Sequence, residues 1–215
     1  MDIVHLGHSC FKIKGKKATL VTDPFDPTMV GLKLPKTEAD VVTVSHQHND
    51  HNYTSGISGD FVVVSGPGEY EIKGIKITGI PLFHDDKEGL ERGKNTIYRM
   101  EIDNISLVHL GDLGHKLNDA IIEQLNGVDI LMIPVGGFFT IDLPSAAQII
   151  TSLEPLIIIP MHYLTEKMNK ESFGKIAEVS EFLKEIGKDN INPTPKLSIS
   201  KDKIGTEPTV VVLEQ

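Results

Sequence analysis

The sequence predicts an α/β (α+β) fold, a four-layer αββα sandwich formed by residues 1–215 as one domain. Three observations carry this expectation. Strand-like runs fill the first half of the chain. Helical and strand patterns alternate in the second half. No stretch between them has the length or composition of an interdomain linker. Two mixed sheets packed face to face, with helices outside, would bury all of these runs.

The elements follow in order. Ile3 to Leu6, Cys10 to Lys14, Ala18 to Thr22, Val41 to Ser45 and Phe61 to Ser65 are short, β-branched or apolar runs bounded by turn residues. Tyr70 to Lys73 and Ile75 to Phe83 are split by a tight turn at Gly74. Ile97 to Ile102 and Ile105 to Leu110 flank Asp103-Asn104, a two-residue hairpin signal because Asp and Asn tolerate positive φ. Leu117, Ile121, Ile122 and Leu125 then have helical spacing and stop at Gly127. Asp129 to Pro134 is a strand. Ala146, Ile149, Ile150 and Leu153 form the next helical stripe, with Pro144 near its start and Pro155 after its end. Leu156 to Met161 is an apolar strand. Ile176, Val179, Leu183 and Ile186 mark a third amphipathic helix, with Lys175, Glu178, Glu181 and Lys184 on its wet side. Pro195 to Leu213 reads as strand, turn, strand.

The net charge of −9 argues against a broad nucleic-acid or anionic-membrane surface. No apolar run approaches the ~20 residues that span a bilayer, and the first residues lack the pattern of a secretory leader. A single cysteine, Cys10, fits a reducing compartment and reads as a small core residue. The expectation is a cytoplasmic protein with a small-molecule partner and no membrane insertion, its oligomeric state left open. Of 21 basic residues only Arg92 and Arg99 are arginine, so bidentate clamps for carboxylate or phosphate are few.

The chemistry is concentrated in one run, His46-Gln47-His48-Asn49-Asp50-His51, directly after the apolar stretch Val41 to Ser45. Nitrogen ligands with one carboxylate at a strand end suit zinc and its first-row neighbours. The plainer alternative, a polar loop of solvated histidines, must explain why a third of the nine histidines fall in six positions. Three further ligand-type residues end apolar strands: His84 after Ile80 to Phe83, Asp112 in the turn Gly111 to Gly114, and His162 after Ile157 to Met161. Taken singly, each is more often a turn residue or a satisfied histidine. Together with the first run they make seven groups: His46, His48, Asp50, His51, His84, Asp112 and His162. Seven is too many for one tetrahedral ion and suits two ions sharing a carboxylate.

His-x-His-x-Asp-His followed by a lone His, an Asp and a His, each at a strand end, resembles the metallo-β-lactamase fold superfamily, and the match extends over nearly the whole chain. Leu6-Gly7-His8-Ser9, Thr22-Asp23-Pro24, Gly111-Asp112-Leu113-Gly114 and Ile159-Pro160-Met161-His162 look most like its UlaG-like and NAPE-phospholipase D-like branch. The resemblance implies the metallo-β-lactamase fold and a metal-dependent hydrolase acting on a small ester, lactone or phosphodiester. His46, His48 and His84 would hold a first metal, Asp50, His51 and His162 a second, and Asp112 would bridge. Related flavodiiron proteins typically carry Glu where His48 stands, so His48 favours zinc, with manganese, iron or nickel as alternatives. Two such ions would lower the pKa of a bridging water from ~15.7 to about 7 and make hydroxide available. Asp50 and Asp112 would orient that nucleophile.

The resemblance also implies that His8 faces the site, to contact substrate, transfer protons or serve as an auxiliary ligand; a structural hydrogen bond is the alternative. Asp23 is either an acceptor for the outer N–H of a ligand imidazole or a turn cap. His5, His109 and His115 read as structural or surface residues. Gly136-Gly137-Phe138-Phe139 reads as a site-facing loop, and residues 85–95 as a lid or a solvated loop. Two alternative functions stay open: a phosphodiesterase or nuclease acting on nucleic acid or nucleotides, and a non-catalytic metal-binding protein.

Overall fold

The fold is described from a computed structural model covering residues 1–189 and 191–215. The first half runs through β1 (Asp2–Gly7), β2 (Cys10–Lys14), β3 (Thr19–Thr22), α1 (Pro27–Val30), β4 (Thr37–Glu38), β5 (Val41–Thr43), β6 (Ile57–Ser58), β7 (Val62–Val64), β8 (Gly68–Ile72) and β9 (Ile75–Phe83). It continues with β10 (Lys94–Ile102), β11 (Ile105–His109), α2 (Asp119–Leu125), β12 (Ile130–Pro134), α3 (Leu143–Leu153), β13 (Ile157–Met161), α4 (Lys170–Phe173), α5 (Val179–Glu185), β14 (Leu197–Ser198) and β15 (Thr209–Val210). One sheet has the order β14-β1-β2-β3-β5-β7 and the other β15-β13-β12-β11-β10-β9-β8, while β4 and β6 pair apart from both.

The two sheets face each other across a core in which Ile3, Phe11 and Leu20 meet Ile77, Met100 and Ile159. The outer face of the larger sheet is covered by α2, α3 and α5, through Leu125, Ile149 and Phe182. With both faces covered, β12 and β13 are buried at every position, which explains their unbroken apolar sequences. The expected αββα layering is therefore present, but its fourth layer is thin. Among the described residues, α1 and α4, one turn each, and intervening loops cover the smaller sheet, through Phe25, Val30, Met168 and Phe173.

The hairpin at Asp103-Asn104 has both residues at positive φ, 54° and 66°, as its sequence requires. The third amphipathic helix begins later than its apolar spacing predicts. It starts at Val179, because Glu181 Oε1 accepts the Glu178 N–H at 3.1 Å and marks that turn as the first. Ile176 packs instead beside Phe173 against the smaller sheet.

Tyr98, fully buried on β10, clasps the two sheets. Its hydroxyl donates to the Val44 carbonyl at 2.9 Å, with the Val64 carbonyl at 3.2 Å, and accepts the Gly66 N–H at 2.9 Å. Burial pushes its pKa up, so it stays protonated and keeps its donor. Tyr98→Phe strands these backbone groups. We expect a loss of about 1–3 kcal/mol in urea unfolding at unchanged m-value; a loss below ~0.3 kcal/mol would show that the clasp is idle.

Candidate metal centre

The strands that carry ligand-type residues deliver them to one rim of the sandwich. From the smaller sheet, β1 leads into His8, β3 into Asp23 and β5 into Ser45-His46. From the larger sheet, β9 leads into His84, β11 into Gly111-Asp112 and β13 into His162. Because β9 and β11 both run antiparallel to β10, and β11, β12 and β13 run parallel, these ends coincide.

Asp112 lies at the middle of the cluster. Its Oδ2 is 3.2 Å from His162 Nε2, 3.3 Å from His84 Nε2 and 3.9 Å from His46 Nε2, while its Oδ1 is 3.2 Å from His51 Nε2. Donor atoms of His46, His48 and His84 lie within 4.8 Å of one another, as do those of His8, Asp50, His51 and His162, and those of His46, His51 and Asp112. His48 is exposed; the other ligand-type residues are buried. All seven residues singled out in the sequence are thus brought together. His8 joins them, fully buried, with its Nε2 3.2 Å from Asp50 Oδ2.

The outer nitrogens of two imidazoles are tied down by one carboxylate. His51 Nδ1 donates to Asp23 Oδ2 at 2.9 Å, since a carboxylate can only accept. Ser45 Oγ donates to the same oxygen at 2.6 Å, so it accepts from His46 Nδ1 at 2.9 Å. Both rings therefore commit Nδ1 outward and turn Nε2 inward. The Nε2 atoms of His46, His51 and His162 and Oδ1 of Asp112 are buried with no hydrogen-bond partner in the structure. Converging orphaned nitrogen and oxygen atoms fit a divalent cation of the zinc type.

The electrostatics agree with that fit. Burial, reinforced by His51, pushes His46 down to about 3, and burial with the neighbouring His162 pushes His8 down to about 4. These rings are neutral near pH 7, as ligation requires. His51 moves the opposite way: burial lowers it, but the Asp112 and Asp50 carboxylates prevail and raise it well above its ordinary value. The carboxylate pair thus calls for positive charge at this point. Asp112 is held far below the usual carboxylate range despite burial, by His162 and His51.

The backbone is strained where it turns into the site. His8, Asp23 and His162 have φ of 54°, 37° and 53°, a region costing about 1–3 kcal/mol for a non-glycine residue. Glycine permits two close approaches. A Cβ on Gly114 would lie 2.2 Å from the His84 carbonyl, and one on Gly136 2.2 Å from the His162 carbonyl. Gly136 was expected to bring its backbone close to a ligand; the close contact is with the backbone of His162.

Above the cluster opens a cleft of about 530 Å³, with His48, Asp50, His84 and Asp112 on its floor and Met29, Phe139 and Phe173 among its walls. Met29 comes from α1 and Phe173 from α4, which are joined by the Asn169 N–H to Val30 carbonyl bond at 2.9 Å. Residues 85–93 form a largely exposed loop with internal order. They are wound around the buried carboxylate of Asp85, which accepts the N–H groups of Lys87, Gly89, Glu91 and Arg92 at 2.7 to 3.1 Å. Burial pushes Asp85 up, but these donors outweigh it and hold it down at about 2.

Sequence reasoning missed Ser45 as a relay and missed Asn95. Asn95 is fully buried, accepts the Asp112 N–H at 2.9 Å and donates to the Leu110 carbonyl at 2.9 Å, fixing the turn that carries Asp112. Lys94 and Thr96 flank it on β10, so no contrast with apolar neighbours marks it in the sequence. His5 and His109 are structural, as expected: their Nε2 atoms meet the carbonyls of His8 and Ser9, each at 2.9 Å. His115 binds backbone at Phe83 and Lys116 and does not line the cleft.

Strand-end histidines and aspartates meeting at the rim of an αββα sandwich define a metallo-β-lactamase-type centre. Residues 2–162 match the family model described as a beta-lactamase superfamily domain. The chain belongs to that superfamily, as one of its metal-dependent hydrolases. It is similar to a proposed zinc-dependent hydrolase of the metallo-beta-lactamase superfamily from Thermotoga maritima, with 36% identity and a TM-score of 0.80 over 99% of this chain and 97% of the other. A UPF0173 metal-dependent hydrolase of Thermococcus kodakarensis is 29% identical over 192 residues, 77% of this chain and 85% of the relative. Igni18, a metallo hydrolase of Ignicoccus hospitalis, shares the fold at 18% identity, with a TM-score of 0.68 over 93% of this chain and 99% of that one. Among the described residues no helix is long and apolar enough to cross a membrane.

Proposed function

We propose that the chain is a dinuclear hydrolase of small esters, lactones or phosphodiesters, working as one domain over residues 1–215. The observation that carries the reading is Asp112, whose two oxygens face different imidazoles, Oδ1 toward His51 and Oδ2 toward His84, His162 and His46. In this reading His46, His48 and His84 hold one divalent ion, Asp50, His51 and His162 hold a second, and Asp112 serves both. Zinc suits the donor set best, with manganese, iron or nickel as alternatives. When bound, such ions supply Lewis acidity and a water acidic enough to attack near neutral pH.

The chain's own residues do the rest. Asp23 and Ser45 keep the Nε2 lone pairs of His51 and His46 directed inward. His8 holds Asp50 from beneath, as a positioning residue. Asn95 anchors the backbone of Asp112. Met29, Phe139 and Phe173 seat the apolar part of a substrate and lower the local dielectric, which strengthens every charge interaction on the cleft floor. The net charge of −9 weighs against a nuclease.

The test is elemental analysis of protein purified without added metal and after reconstitution, for wild type and His48→Ala. Each is paired with rates on a p-nitrophenyl ester, a lactone and bis(p-nitrophenyl) phosphate. About two ions per chain, fewer in the variant, together with metal-dependent turnover of one of these classes, is the expected result. No bound metal after reconstitution with zinc, manganese, iron or nickel would overturn the reading. Full occupancy without turnover of any class would point to a metal-binding protein instead.

A further inference from the structure

Among the described residues, one cationic side chain, Arg92, lines the cleft, and no carboxylate forms an ion pair with it. Arg92 shares the cleft with His48, Asp50, His84 and Asp112. Its guanidinium carbon lies 5.9 Å from the centre of the Phe139 ring, a cation–π arrangement that props it at the mouth. Among the described residues it has no carboxylate within ion-pair distance, and its side chain makes no hydrogen bond. In a chain with 30 acidic residues and 21 basic ones, an unpaired guanidinium needs a reason.

Of the acids nearest in sequence, Asp85 and Glu91 are committed elsewhere, and Asp86 and Glu88 make no ion pair with Arg92. The Asp85 carboxylate is occupied by four backbone N–H groups, one of them that of Arg92 itself at 2.7 Å. Glu91 pairs with Lys87. The same winding around Asp85 fixes the backbone from which Arg92 reaches, so the side chain is presented by an ordered loop. The only other arginine, Arg99, is spent on the Gln124 carbonyl at 2.7 Å. A guanidinium fork, half-buried, braced on an aromatic ring and beside a hydrolytic centre, matches a carboxylate or phosphate group bidentately.

We propose that Arg92 anchors the substrate, which carries an oxyanion, a carboxylate or a phosphate, apart from the bond that is cleaved. This rests on the hydrolytic reading above and narrows its substrate class to anionic esters or lactones. The scissile group sits on the cleft floor, the apolar linker lies along Phe139 and Phe173, and the oxyanion meets Arg92.

The experiment uses metal-loaded wild type, Arg92→Met and Arg92→Lys. Their kinetics are compared on three p-nitrophenyl esters: a neutral butanoate, a hemiglutarate with a free carboxylate, and a phosphonooxyacetate with a free phosphate. In parallel, binding of glutarate and of phenyl phosphate to the same proteins is measured by calorimetry. We expect wild type to favour one charged ester, which distinguishes carboxylate from phosphate. Arg92→Met should lose about ten- to a hundredfold on that ester, mostly in KM, and at least tenfold more than on the neutral ester. Arg92→Lys, keeping charge without the fork, should fall between. The matching anion should bind wild type at least about tenfold more tightly than Arg92→Met. Equal losses on charged and neutral esters, or equal anion binding by wild type and Arg92→Met, would overturn the assignment. If no ester is hydrolysed but anion binding still depends on Arg92, the hydrolytic reading fails and the anion site stands.

Discussion

Replacing Asp112 with Asn is expected to cut metal-dependent hydrolysis by about 10²–10³-fold or more and to lower bound metal with it. The substitution preserves volume and leaves the backbone bond to Asn95 in place, so the loop that carries the residue should persist. What disappears is the negative charge faced by His51, His84 and His162 at 3.2, 3.3 and 3.2 Å. An amide also brings two N–H donors into a cluster whose inward-facing imidazole nitrogens would, on the proposed reading, bind a cation. The check is metal content beside kcat/KM for the best of the screened substrates, with circular dichroism to confirm folding. Metal content and rate both equal to wild type would remove Asp112 from the centre.

Asp23→Asn should weaken metal affinity by about 10- to 100-fold, although Asp23 contributes no donor to the cluster. Its carboxylate accepts three times: from His51 Nδ1 at 2.9 Å, from Ser45 Oγ at 2.6 Å and from the Ser45 N–H at 2.8 Å. Burial alone would raise its pKa, but the bond from His51 and the charge of nearby His109 keep it ionised. An amide must turn its NH₂ toward one of those donors. If the NH₂ takes the place of Oδ2, it faces His51 Nδ1 and Ser45 Oγ together, so the His51 ring proton moves to Nε2 and the relay to His46 reverses. If it takes the place of Oδ1, it opposes the Ser45 N–H, and a neutral amide oxygen replaces the carboxylate behind His51. A chelator-competition titration measures the shift; affinity within twofold of wild type would mean that the tautomers are set by something else.

The strands and the cluster were legible because both obey short-range rules. An apolar run ending in His or Asp is a strand that delivers a ligand to a rim, so His84, Asp112 and His162 could be read beside the His46–His51 run before any tertiary structure was known. The walls of the cleft were not legible. Helices α1 and α4 have four residues each, one turn, too short for any periodicity to show, yet they supply Met29 and Phe173. Asn95 and Arg92 act through contacts with Asp112 and Phe139, distant in sequence, that exist only once the sheets are paired. The start of α5 was misplaced because Ile176 fits the helical spacing but spends its apolar surface on the neighbouring layer. Residues 85–93 look like a charged, glycine-rich solvated loop; one buried carboxylate with four amide donors makes them a scaffold.

The origin of the donors has a thermodynamic consequence. His46, His48, Asp50 and His51 follow a strand of one sheet, while His84, Asp112 and His162 follow strands of the other. An ion shared between the two sets would be a cross-link between sheets that are otherwise joined by apolar packing and by a few hydrogen bonds, those of the Tyr98 hydroxyl and of His109 among them. Unfolding must release such an ion, so occupancy and stability are linked: free metal at ~100 times its Kd adds about 2.7 kcal/mol to the folded state. On the proposed dinuclear reading, the supply of metal would set thermal resistance as well as chemistry, and starvation for it would show first as a loosening of the rim where the two sheets part.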